Sequence, residues 1–115
     1  MIFLPVIALA AAPVMELGGI QTAAQQNWSC ASSKASAEVR TSRSTDAIVD
    51  DAVRACSQER QHLLAEIRKA LEPLAPSKAE LDAGVKRQAD KQDALLRSTL
   101  TKFVQIARRH FGVKA

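Results

Sequence analysis

The chain has 115 residues, with sixteen Lys and Arg against twelve Asp and Glu, a formal net charge of +4 and a hydrophobic share of 47%, enough for a folded domain and too much for a disordered tail. Four glycines, three phenylalanines, one tryptophan and no tyrosine leave nothing from which to build a phosphate-cradling glycine loop or a base-stacking platform. Two histidines and two cysteines do not have the spacing of a metal set, so neither a metal nor a cofactor is expected.

From Ile2 to Met15 the chain is almost wholly apolar, interrupted by Pro5 and Pro13. About fifteen residues fall short of the roughly twenty that a bilayer-spanning helix needs. A cleaved signal peptide over residues 1–24 fits this length, with Thr22-Ala23-Ala24 supplying small residues before the cut and a single helical domain following over residues 25–115. No Lys or Arg precedes the run, so the amino terminus alone would carry the positive charge unless the start lies upstream. The competing assignment is a buried N-terminal helix of a cytosolic protein, and no amphipathic pattern supports it. The expected location is therefore the periplasm or the outside of the cell.

Cys30 and Cys56 stand equidistant from Arg43, which lies within the turn-like run Thr41-Ser42-Arg43-Ser44-Thr45. Equal arms bring the two thiols level in an antiparallel helical hairpin, and an oxidising compartment lets them bond. A Cys30–Cys56 disulfide is expected, worth on the order of 3 to 4 kcal/mol in a domain too small to bury much surface. No Cys-x-x-Cys pair points to redox work.

The fold class is all-α, a disulfide-stapled helical hairpin plus a long third helix in a small bundle. Segment one, from Ser29 to Thr41, places Ala31, Ala35 and Val39 four residues apart on a weakly apolar helix. Segment two opens at Ser44 or Thr45, whose hydroxyl can accept a backbone N–H, with Asp46, Asp50 and Asp51 near the positive helix pole. Its buried stripe is Val49, Val53, Cys56, Leu63, Ile67 and Leu71, with a polar gap at Arg60. Pro73 stops it, and Leu74-Ala75-Pro76 forms a stiff elbow. Segment three starts on the capping arrangement Ser77-Lys78-Ala79-Glu80 and continues through Leu81, Val85, Leu96, Leu100, Phe103, Ile106 and Ala107 to Phe111, ending at Gly112. Its stripe fades between Lys86 and Ala94, which predicts a solvated middle.

Charge is uneven. From Ser77 to Ala115 there are nine bases and four acids, whereas Ser44 to Pro76 holds four bases and six acids. The bases of the last helix are spread around it without exposed aromatics, which argues against a nucleic-acid partner. A solvated helix face is the plain account of Lys102, Arg108, Arg109 and Lys114, and these bases also suit the negative pole of the helix. The functional account makes the same four residues a surface for an anionic partner such as lipid headgroups or lipopolysaccharide. No catalytic constellation accompanies them. His62 and His110 stand apart, no Gly-x-Ser-x-Gly turn is present, and Asp50-Asp51 is better explained as helix-start charge than as an acid–base pair.

Two short motifs add a resemblance. Asn27-Trp28-Ser29-Cys30 resembles the Trp-[Ser/Thr]-Cys opening of HdeA-type periplasmic acid-stress chaperones, and Ala55-Cys56-Ser57-Gln58-Glu59-Arg60-Gln61 is similar to the segment around that family's second cysteine. The resemblance implies a Cys30–Cys56 bond and a fold that loosens in acid to hold unfolding clients. The chain equally resembles small exported two-cysteine helical proteins of bacteria. The expected function is a non-enzymatic binding or structural module of the cell envelope, with an acid-stress holdase as the alternative. Its partner would be a protein or an anionic envelope component, and not nucleic acid. Membrane contact would come only through an uncleaved leader or a weak surface. Self-association would cover the apolar area that a hairpin and one helix leave bare.

Overall fold

The computed structural model describes residues 14–113, with side chains from residue 18 onward. Among these residues there are four α-helices and no strand: α1 Val14–Ser36, α2 Thr45–Ala55, α3 Ser57–Leu71 and α4 Lys78–His110, with a 3-10 turn at Glu72–Leu74. The helices form an all-α bundle 52 × 27 × 17 Å in extent. A 33-residue helix is about 50 Å long, so α4 alone runs the length of the molecule.

Local chemistry sets most boundaries. Ser44 is the N-cap of α2, its hydroxyl accepting the Ala47 N–H at 3.1 Å. Ser77 does the same for α4, accepting from Glu80 N–H at 3.2 Å. Pro73 lies in the 3-10 turn that ends α3, as expected of a residue that cannot continue a helix. Gly112 takes φ +72, and the Val113 and Gly112 N–H groups donate back to the carbonyls of Arg108 and Arg109, which terminates α4 in a Schellman arrangement.

Three boundaries differ from expectation, the first being the start of segment one, expected at Ser29 and already helical from Val14. Segment one does not continue as a helix to Thr41: after Ser36 the N–H groups of Glu38, Val39 and Thr41 reach back only three residues, to the carbonyls of Ala35, Ser36 and Glu38. Segment two is broken at Cys56, whose backbone (φ −107, ψ 33) closes α2 and opens α3. Neither Gly nor Pro marks that break, so the apolar stripe runs across it in the sequence, while in the fold Val49 and Cys56 pack in one cluster and Leu63 and Ile67 in another.

Two hydrophobic clusters result. The larger joins Ala31, Ala35 and Val39 to Ile48, Val49, Ala52 and Cys56 and to Leu96, Leu100 and Val104 of α4, with Trp28 and Phe103 packed on it. The Trp28 and Phe103 rings meet edge to face at 5.8 Å. The smaller cluster joins Ala23 to Leu63 and Ile67, flanked by Ile20, Ala24, Leu71 and Val85. Alanines on α1 let its backbone approach closely, and Ala23, Ala31 and Ala35 are all fully buried.

The α4 stripe needs two corrections. Ile106, expected on the hairpin, is 60% exposed, because the buried row runs Leu96, Leu100, Val104, Arg108 at spacing four. The middle of α4 is not simply solvated, since Ala89 is buried and Asp93 pairs with Arg60 of α3 through two bonds of 3.0 and 2.8 Å. The polar gap at Arg60 is thus filled by an ion pair.

Residues 1–13 of the expected signal peptide lie outside the described residues. Residues 14–24 are part of α1, and Ala23 is sealed against Leu63 and Ile67. A chain starting at Gln25 therefore loses Ile20, Ala23 and Ala24 from the smaller cluster. It is expected to unfold in urea with about 2 kcal/mol less stability than a chain starting at Gly18. Equal stabilities would show that this cluster does not depend on α1.

Candidate functional site

Cys30, on α1, meets Cys56 at the α2–α3 junction with an S–S distance of 2.02 Å and a Cα–Cα separation of 6.0 Å. The expected disulfide is present, linking α1 to the point where the second helical arm breaks. Glu59 places a carboxylate oxygen within 4.8 Å of the two sulfurs. Sulfurs bonded to each other offer no thiolates, so this trio has no metal-ligand chemistry in the oxidised chain. Beside it runs an open polar depression lined by Thr22, Gln25, Gln26, Ser29 and Ser33. A second depression of about 450 Å³ lies at the elbow, between Leu71, Leu74 and Pro76 on one side and Leu81, Gly84 and Arg87 on the other.

The far end of the molecule is where α4 meets the chain between α1 and α2. Arg108 is 3% exposed there. Its Nε donates to Val39 O at 3.1 Å, and its Nη2 donates to Thr41 O at 3.1 Å and to Arg43 O. These are the carbonyls that the turn after α1 leaves without helical partners. A planar guanidinium with five N–H donors is suited to gather several of them at once. Arg40 lies over the Phe111 ring at 4.0 Å, and His110 packs edge to face against the same ring. The four-base candidate surface is therefore divided. Lys102 and Arg109 are exposed, Arg108 is buried in a structural clasp, and Lys114 lies outside the described residues. His62 is exposed on α3, far in sequence from His110 and without a shared cluster.

The acids have partners rather than a common site. Asp51 receives Arg43 and Arg54, and hydrogen bonds from Arg43 and then Arg54 hold its carboxyl below the usual range. Asp82 is likewise lowered, first by Arg68 and then by Lys78. Asp50 pairs with Arg97 across the α2–α4 contact. Helix-start electrostatics accounts for Asp46, which lies in the first turn of α2, but the other two aspartates are committed to specific arginines. Arg54–Asp51 and Lys78–Asp82 are local helix pairs, whereas Arg43–Asp51, Arg68–Asp82 and Arg97–Asp50 join separate segments, and no helical spacing reveals those three.

No protein-family model matches the chain, and neither does any curated protein or any solved structure.

Removing the Arg108 clasp should separate its structural role from that of its neighbour. Arg108→Ala strands the buried Val39 carbonyl and leaves two part-buried carbonyls without their donor, and is expected to destabilise the chain by about 3 kcal/mol. Arg109→Ala, on the surface, is expected to stay within about 0.5 kcal/mol of the parent. Urea midpoints of the two variants check this, and matching losses would remove the distinction.

Proposed function

We propose that this chain is a small exported helical protein, located in the periplasm or secreted, that acts as a non-enzymatic binding or structural module of the cell envelope. The observation that carries the reading is the Cys30–Cys56 disulfide built into the larger hydrophobic cluster. A staple so placed suits a domain that matures where disulfides persist. The apolar segment from Ile2 to Met15 suits delivery to that compartment. Binding through surfaces rather than in a pocket is supported by the shape, a rod whose depressions near Cys30 and at the elbow are both open to solvent. The test is the thiol state and location of the full chain produced with its own N-terminal segment in a bacterial cell. Alkylation without reductant is expected to find no free thiol, in chain recovered from the periplasm or medium. Chain retained in the cytosol with both thiols alkylated overturns the reading.

A second reading, an acid-triggered holdase, is favoured by the salt-bridged aspartates. Asp51 and Asp82 have lowered pKa values in the fold, so the stability they contribute is present above the ordinary carboxylate range and is lost as pH falls through the folded values. With acids neutralised, the sixteen Lys and Arg repel one another nearly unopposed. On this reading the chain binds a hydrophobic dye below about pH 4 and suppresses scattering from an acid-denatured client there. Flat dye binding down to pH 2 with unchanged client scattering would remove the chaperone reading and leave the envelope module.

A further inference from the structure

The outer side of α4 carries a pattern that the core does not use. With about 100° between successive residues, Lys91, Leu95, Lys102, Ile106 and Arg109 fall within an arc of about 60°, roughly opposite Leu100. All five are exposed, and the two apolar members stand 54% and 60% open to solvent. From Lys91 to Arg109 the row is about 27 Å long. Asp93, the last acid of the chain, is turned toward Arg60, and no Asp or Glu follows it through Ala115. Asp90 is held by Lys86, off this row. Lys91, Lys102 and Arg109 make no ion pair with a described residue, whereas Arg97 is tied to Asp50 and Arg108 to backbone carbonyls.

Isolated exposed leucines are ordinary. Two branched apolar side chains spaced along one acid-free face, between three free cations, match the boundary between headgroups and acyl chains. A second copy of this chain fits poorly, because pairing the faces sets cation against cation. Nucleic acid would engage the cations but leave Leu95 and Ile106 against phosphates, with no aromatic on the row to stack on bases.

We propose that this face of α4 docks the protein flat on an anionic lipid bilayer, with Lys91, Lys102 and Arg109 against headgroup phosphates and Leu95 and Ile106 inserted between them. The long axis of the rod then lies in the membrane plane. The proposal rests on the envelope reading for its setting and adds the class of partner. It assigns no role at the surface to Arg108.

Co-sedimentation of the oxidised chain with vesicles tests it. Binding is expected to phosphatidylcholine vesicles rich in phosphatidylglycerol, to be absent on pure phosphatidylcholine, and to weaken as salt shortens the Debye length. The pair Lys102→Glu and Arg109→Glu is expected to lower the partition coefficient at least about tenfold, and Leu95→Ser with Ile106→Ser about tenfold. Lys69→Glu with Lys86→Glu makes the same change in net charge away from the face and is expected to stay within about twofold of the parent, since lipid attraction falls off within a Debye length. All six positions are solvent-exposed, and a parent-like helical circular-dichroism spectrum is the condition for comparing each variant. Equal loss in the control pair, equal binding to neutral vesicles, absence of binding, or capture by soluble polyglutamate in place of vesicles would each overturn the assignment. Purified vesicles ask nothing about compartment. A negative result with a chain shown to be exported and oxidised would discard the lipid surface and leave the envelope reading standing.

Discussion

The Cys30–Cys56 bond joins α1 to the one place where the second helical arm breaks, and both hydrophobic clusters are arranged about it. Without that tie, α2 and α3 would meet α1 only through alanines and a few branched side chains, a narrow contact for a chain of this size. The staple fixes the relative height of the helices. Ala31, Ala35 and Val39 then face Ile48, Val49 and Ala52 on one side, while Ala23 faces Leu63 and Ile67 on the other. In the chain-entropy account, a bond of this span removes on the order of 3 to 4 kcal/mol of freedom from the unfolded chain, comparable with much of a small domain's net stability.

Arg108 secures the opposite end by different chemistry. A fully charged group is held in the interior because three carbonyls without helical partners converge on it, and the backbone of the same residue accepts the Val113 N–H that closes α4. One residue thereby joins the end of α4 to the whole connection between α1 and α2. The same arrangement accounts for the exposure of Ile106. A spacing-four row that includes an arginine keeps Val104 inside and turns Ile106 out.

What the sequence made legible were features written in local chemistry. Ser44 and Ser77 announced helix starts because their hydroxyls serve nearby backbone donors, Pro73 and Gly112 announced ends, and equal arms about Arg43 announced the cysteine pair. Features written in tertiary contact were not legible. The break at Cys56 has no Gly or Pro, Arg108 looks like any surface base until its carbonyl partners are in place, and the Arg60–Asp93 and Arg97–Asp50 pairs join segments with no sequence relation. The expected leader boundary rests on residues with two uses. Small residues at Thr22-Ala23-Ala24 suit a peptidase, but they also suit close helix packing, and in the fold Ala23 has the second use. Of the candidate surface, Lys102 and Arg109 followed from charge counting alone. The contribution of Leu95 and Ile106 required knowing which side of α4 the core already occupied.

The division of the interior into two clusters bears on how the molecule opens. The larger cluster lies toward the Arg108 clasp and the smaller toward the elbow, and among the described residues α4 is the only helix after the break that reaches along both. Interiors partitioned in this way exchange their amide hydrogens in separate cooperative units rather than all at once. The elbow half, with Leu74 in solvent and few fully buried side chains, is by that argument the half expected to open first. On that expectation the disulfide ties α1 and the Cys56 break into the half that opens last.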